Sequence, residues 1–527
     1  MARILALNKQ SVRIFVILFF AVALLPIIVM MVGAFVADGI FPRENVLTLL
    51  AGFINFRLLA NSLSLSLLTS VFALICGLPA GFLLSKTDLP LKNFFRVVLM
   101  VPLFLPPYLL SISWTHILGK QGVLAFLLPV GDFSSAFLFS LPGAAFVLGN
   151  TYYPLVMFIS MAGFFGIDSS FEDEGLLNTN KVGLFRAVHL PFISSFLKAA
   201  LLLIFILSLS EFGVPSFLGT SVYTVEILTQ FSAFYDFQSA TSHTIVLVVI
   251  AFLMVVISRK LLAKVSSEIS ETLTLGDHRI FKLGKLRWLF FGLMTVFFII
   301  FVGMPIGILI VKSFPLQTYL QAFRLAGNSI LHSLFWASIG ATAIILFGFV
   351  FGYARERLGW QFVDSMTLFS FVIPGTVLGI GLIVLWNRGF PFYLIYNSIL
   401  MVLFGYIARF TYLGENIIFA AVRQIPVSFE EAAILEGGSW FTILRKIILP
   451  LSRPALITAW ILGFVFSFGE LSSTLLVYPP GNSTLPIKIF TISANSPESL
   501  SAALCVVMLG IILGFVGGLF RIFISEW

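Results

Sequence analysis

The sequence predicts an all-α polytopic membrane protein of about twelve spanning helices, arranged as two parallel six-helix repeats. Three observations predict it. The 527-residue chain is 59% hydrophobic and 10% charged, with a mean hydropathy of +1.08 and 60 Phe. No water-soluble core needs so much apolar side chain. Apolar runs recur at the length a bilayer demands, and one polar stretch between them occurs twice.

A hydrocarbon core about 30 Å thick takes roughly 20 helical residues per crossing. Windows of that length fall at 14–36, 58–85, 94–118, 136–164, 195–217, 242–264, 287–311, 327–353, 364–387, 396–420, 454–477 and 500–524. The fourth and tenth are interrupted by polar residues. The first is too long for the apolar core of a secretory leader and no small-x-small site follows, so it is expected to be retained. Prolines at Pro102, Pro106-Pro107 and Pro374 mark kinked spans at matching places. Cys76 and Cys505 both fall inside spans, which argues against a disulfide framework or a cysteine metal site. His116, His189, His243, His278 and His332 show no helical pairing with one another. They are read as interfacial or loop residues, and no metal site is assigned.

With a cytoplasmic N-terminus, 24 of the 31 Lys and Arg lie in inner loops or at inner span ends, Arg409 counted among them. That bias sets the expected orientation, with both termini cytoplasmic. It also accounts for the net charge of +8, because basic loops lie against an anionic inner leaflet. Nucleic-acid binding need not be invoked.

The duplicated stretch reads EDEGLLNTNKVGLFRAVHLPFISSFLKAA from Glu172 and EEAAILEGGSWFTILRKIILPLSRPAL from Glu430. A gapless shift lays Glu172 on Glu431, Asn178 on Gly437, Arg186 on Arg445 and Leu190-Pro191 on Leu449-Pro450. It runs on to Ser208 with Ser467 and Glu211 with Glu470. NSLSLSLLTS from Asn61 similarly resembles NSILHSLFWAS from Asn328. The expected halves are 1–265 and 287–527, joined by a basic cytoplasmic linker at 266–286. Six spans per half is an even number, so the halves share one orientation and both loops, about 167–191 and 426–450, face the cytoplasm.

Within the second loop, Phe429–Glu436 reads as a short helix that Gly437-Gly438 would end. Trp440, Ile443, Leu444, Ile447 and Ile448 then form one apolar stripe at helical spacing, with Arg445 and Lys446 opposite. Pro450 and Pro454 turn the chain into the next span. An interfacial helix that only anchors the fold is the plainer alternative. Its recurrence at the same place in each half weighs against that.

Here the sequence resembles the permease subunits of bacterial ABC importers. Their pattern is Glu-Ala-Ala, three residues, Gly, nine residues, Ile-x-Leu-Pro. The second half carries it as Glu431-Ala432-Ala433, Gly437, Ile447 and Leu449-Pro450. The first half departs from it, with Glu172-Asp173-Glu174, Asn178 at the Gly position, Val188 and Leu190-Pro191. The resemblance implies the type I importer permease fold. It also implies that the two loops dock into ATP-binding subunits and pass their closure to the pore. Since the chain carries both halves, one copy would form the whole pore, served by two ATP-binding subunits and a periplasmic binding protein in the bacterial inner membrane. Gly469–Thr491 looks most like the ferric-iron members, with thiamine and aminoethylphosphonate permeases as alternatives.

The chain is not expected to be an enzyme. Gly-Lys occurs only at Gly119-Lys120 and Gly284-Lys285, followed by Gln121 and Leu286, so there is no P-loop. ATP and Mg²⁺ belong on the partner subunit, and no cofactor is expected on this chain. An ion-coupled secondary transporter is the alternative from another class. It would need buried ionisable groups, and most charges here lie at span ends or in loops. Glu211 and Glu470, with Ser208 and Ser467, are candidate pathway residues, because a carboxylate in the outer third of a span is costly unless it faces water or a partner. The competing reading makes them helix-end acids at the outer interface.

Overall fold

The computed structural model describes residues 2–36, 55–127, 130–272 and 279–525. Helix dominates, and the described residues contain no strand beyond one isolated backbone bridge. Among the described residues, eight helices are long and apolar enough to cross a bilayer: Lys9–Gly33, Phe56–Lys86, Leu141–Phe165, Phe185–Leu209, Ser239–Lys260, Leu286–Lys312, Gln317–Arg357 and Glu498–Gly518. Three bent pairs bring the total to 11: Lys92–Phe104 with Pro107–Leu127, Gln361–Val372 with Gly375–Trp386, and Trp440–Leu451 with Arg453–Gly469. The tenth expected span is the helix Leu400–Gln424, which is long enough at 25 residues but carries Arg409, Glu415 and Arg423.

The third and ninth spans break at matching prolines. Pro106 and Pro374 both take extended backbone ahead of a new helix, and the chain bends there by 100° and 101°. Proline offers no N–H and disfavours helix in the residue before it. Four π turns among the described residues have the same origin: Phe20–Leu24, Phe185–His189, Ile299–Gly303 and Leu444–Ile448. Each stands two residues before a proline, Pro26, Pro191, Pro305 or Pro450. The intervening residue donates its N–H five residues back, as Leu190 does to Phe185 and Leu449 to Leu444. Widening the turn relieves the clash a proline ring makes with the carbonyl four residues before it.

By contact, the chain forms two compact units, one of Asn55–Val225 and Phe252–Phe314, the other of Met1–Ile54, Glu226–Ala251 and Pro315–Trp527. These units differ from the sequence halves: the first span and Glu226–Ala251 fall with the second half, and the seventh span falls with the first. Aromatic packing carries the exchange. Phe301 lies 6.0 Å from Phe72 and Phe297 5.1 Å from Tyr153 in one unit. In the other, Phe15 lies 5.3 Å from Phe347 and Phe19 5.5 Å from Phe351.

Each unit is centred on a close helix pair, the second span with the fourth and the eighth with the tenth. A Cβ on Gly77 would sit 2.6 Å from the Tyr153 carbonyl oxygen, and one on Gly81 2.8 Å from that of Met157. Gly348 and Gly352 are as tight, 2.8 Å from the Gly414 carbonyl carbon and the Phe419 nitrogen. These are small-xxx-small seams, which let backbones approach where lipid offers no hydrophobic drive. Gly352→Leu is expected to lower the apparent Tm in mild detergent by about 5 °C or more. Gly292→Leu, where a Cβ would meet nothing within 4 Å, should leave it unchanged. A scanning thermal unfolding measurement of both variants decides.

Candidate functional site

Each duplicated loop is a helix, a bend, and a second helix that runs through a π turn into the next span. In the first loop the helix is Ser169–Asn178, capped by Asp168, whose carboxylate accepts from the Ser170 N–H at 2.8 Å. The chain turns at Thr179 and restarts at Lys181–Leu184, where Asn180 Oδ1 accepts from the Gly183 N–H at 2.8 Å. In the second loop the helix is Val427–Leu435 and Gly437 takes a left-handed φ of +80°. Ser439 caps Trp440–Ile443 by accepting from the Thr442 N–H at 3.3 Å. Glycine suits that bend because a Cβ would be strained there.

One acid in each loop is buried. Glu172 is fully enclosed, 2.9 Å from Lys86 Nζ and 2.6 Å from His189 Nε2. In the second loop the buried acid is Glu430. Arg357 Nε reaches it at 2.6 Å, and the Tyr353 hydroxyl donates to it at 3.1 Å. Arg357 also donates to the carbonyls of Val422 at 3.0 Å and Ile425 at 2.7 Å. Lys86 and Arg357 each end a span, the second and the eighth. Each loop is thus tied to a span end by a buried ion pair.

This geometry corrects the gapless register. Glu172 corresponds to Glu430, and Glu431 is exposed beside it, as Asp173 is beside Glu172. Leu177 and Leu435, 85% and 89% exposed, match at the loop tips. Asn178 therefore matches Glu436, and Gly437-Gly438 stand where the first loop has Thr179 alone. Asn178 is the last helical residue and has no left-handed backbone. The expected register resumes beyond the bend at Leu190-Pro191 and Leu449-Pro450. Adjacent glutamates look alike in sequence, and only burial tells them apart.

The apolar stripe of the second loop packs against protein. Ile443 and Ile448 pack in a cluster with Tyr353, Ile418, Val422 and Ile425, while Arg445 and Lys446 are exposed. Ala432 is exposed, Ala433 packs against the same cluster, and Pro191 and Pro450 face outward. His189 is not the interfacial residue expected, since it is buried against Glu172.

Glu211 and Glu470 both stand where a span ends. Glu470 is 4% exposed and fully engaged. Its Oε1 takes Arg409 Nη1 at 3.0 Å and the Ser473 N–H at 2.9 Å, and its Oε2 takes the Thr474 N–H at 2.9 Å and hydroxyl at 2.5 Å. Arg409 lies inside the tenth span, so it does not belong with the inner-loop charges. Glu211 accepts from the Gly213 N–H at 2.9 Å. The Ser208 and Ser467 hydroxyls are buried without a hydrogen-bond partner among the described residues.

A second buried network escaped the sequence reading. Glu415 is fully buried and accepts from the Thr367 hydroxyl. Arg355 lies 3.6 Å from Glu415 and 2.7 Å from Asp364. A lone acid in an apolar window was the available signal. For Lys86 and Arg357 it was a cation closing a span just ahead of each loop. Among the described residues no three His, Cys, Asp or Glu are grouped to hold a metal.

Residues 344–525 match the family described as the binding-protein-dependent transport system inner membrane component. The spermidine/putrescine transport system permease protein of Escherichia coli is 31% identical over 241 residues, 42% of this chain and 89% of that one. The chain belongs to this family of inner-membrane transport components. Two further relatives align with both halves of the chain. A putative ferric transport system permease protein of Haemophilus influenzae is 25% identical over 89% of this chain and 77% of its own. That of Actinobacillus pleuropneumoniae is 24% identical over 95% and 76%. The protein is accordingly a multi-pass inner-membrane permease of a binding-protein-dependent system, a transport component rather than an enzyme.

Breaking a buried ion pair from one side costs about 3 kcal/mol or more, whereas replacing both partners by apolar groups is far milder. Arg357→Met is expected to destabilise this permease strongly, and Arg357→Met with Glu430→Leu to recover most of the loss. Thermal unfolding of the two variants checks the pair.

Proposed function

We propose that this chain forms the whole pore of an ATP-driven ABC importer, taking ferric iron from a periplasmic binding protein and releasing it in the cytoplasm. The observation that carries the reading is the duplicated loop, hung in each half from a span-end cation by a buried glutamate. Two ATP-binding subunits, which hold ATP and Mg²⁺, would each receive one loop. Both loops and both termini then face the cytoplasm, and 266–286 links repeats 1–265 and 287–527. This chain itself needs no cofactor.

In this mechanism the exposed face of each first helix enters a cleft in its ATP-binding subunit. Leu177 and Leu435 at the tips are apolar groups that water does not favour. When the two subunits close on ATP, the loops move together. Through Glu172–Lys86 and Glu430–Arg357 that displacement reaches the ends of the second and eighth spans, which belong to the closely packed pairs. Movement at the loop is thereby movement of the bundle.

Iron is favoured because the relatives named for ferric transport align with 89% and 95% of this chain. A putative 2-aminoethylphosphonate permease protein of Salmonella choleraesuis aligns with 44%. Phosphonate or thiamine transport is the second reading. An ion-coupled transporter is less well supported, because the buried Glu415 and Glu470 are already paired with Arg355 and Arg409. That pairing also favours Glu470 as a structural hub over an iron-pathway ligand.

The test is uptake of radioactive ferric iron by proteoliposomes holding the permease, its ATPase and its loaded binding protein. Iron should accumulate only with ATP, and aminoethylphosphonate should not compete. Uptake without ATP, or driven by an ion gradient, overturns the reading. In the same assay Gly437→Val, strained by the left-handed backbone, should cut uptake per ATP to about a tenth. Asn178→Val should keep most of it. Equal losses from the two would contradict the asymmetry of the loops.

A further inference from the structure

The end of the inter-repeat linker does more than join two halves. Residues 279–283 lie across the base of the first loop and touch both that loop and the end of the second span. The Phe281 N–H donates to the Lys86 carbonyl at 2.8 Å, and Thr87 and Phe281 form the isolated parallel bridge among the described residues. The Leu283 N–H donates to Asp88 Oδ1 at 2.8 Å. Arg279 pairs with Asp173 on the exposed side of helix Ser169–Asn178. Its guanidinium also lies 5.8 Å from the Phe281 ring centroid. That ring meets His189 edge-on at 5.9 Å, and His189 holds Glu172. Gly284, at φ +59°, then turns the chain into the seventh span.

A tether that only had to cover distance would gain nothing from this arrangement. Ordering five residues costs conformational entropy, which the contacts must offset. We infer that residues 279–283 act as a strap that positions the first loop helix, with Arg279, Phe281 and Asp88 as positioning residues for coupling. This rests on the reading of the loop as the ATPase-coupling element. The strap fixes Ser169–Asn178 from both sides, through Asp173 outside and through His189 and Glu172 within. It also joins that helix to the seventh span of the same compact unit. Lys86 takes part twice, its carbonyl bound by the strap and its ammonium by Glu172.

The experiment uses the full chain with its ATPase. Hydrogen exchange of amides 169–178 and iron carried per ATP are measured for Arg279→Glu, Asp173→Arg, the double exchange of both, and Asp88→Ala. Each single charge reversal sets like charges side by side and is expected to raise exchange of the helix about fivefold, lowering transport per ATP. The double exchange should restore both readouts, and Asp88→Ala should raise exchange without altering charge at the Asp173 site. Unchanged exchange in the single variants overturns the strap. Raised exchange with unaltered transport per ATP overturns its positioning role, provided Glu431→Lys in the second loop uncouples. If Glu431→Lys is also without effect, it is the coupling reading that fails.

Discussion

A carboxylate taken out of water costs several kcal/mol unless a cation and hydrogen bonds accompany it, and both loops of this protein are hung on such a carboxylate. Glu172 is held through its Oε1 by Lys86 and His189, and Glu430 is held by Arg357 and Tyr353. Because Lys86 and Arg357 terminate spans, neither loop can tilt freely without exposing a buried charge to a partnerless environment. The stripe of Ile443 and Ile448 adds apolar contact to the same joint in the second half. The glycine seams complete the connection, since a span end that moves must carry along the helix against which it is closely packed. The surface element and the bundle are therefore one mechanical piece.

The halves solve the same problem with different chemistry. In the second half, arginine reaches its glutamate and two carbonyls at once through a planar fork of donors, a geometry that the compact ammonium of lysine lacks. Glycine supplies the bend, and a further network of Arg355, Asp364 and Glu415 knits three helices together. The first half has lysine and histidine at the acid, no left-handed glycine in the bend, and the linker laid over its base. The family match covers residues 344–525 and so falls in the second half alone. The eroded motif of the first half keeps the buried acid while changing what surrounds it.

Much of this was legible in the sequence for simple reasons. Bilayer thickness fixes span length, so the spans could be counted from composition. A 3.6-residue period marked one face of Trp440–Ile448 as apolar, with Arg445 and Lys446 opposite. Proline chemistry marked the breaks at Pro106 and Pro374. The register inside the loops was not legible, because Glu430 and Glu431 differ only in what lies around them. The π turns were hidden for a similar reason, since a proline announces a disturbed helix but not the wider turn that absorbs it. The exchange of the first and seventh spans was beyond reach as well. Phe15, Phe19, Phe297 and Phe301 are four among 60 phenylalanines, and nothing local shows which aromatic partner each will meet.

The central claim is that a single chain carries two coupling surfaces and so needs no second copy. Native mass spectrometry of the complex, released from detergent after co-expression with its ATP-binding subunit, measures this directly. The account predicts one permease chain with two ATP-binding subunits. A complex of two permease chains with two ATP-binding subunits, one loop of each chain left unused, would contradict it.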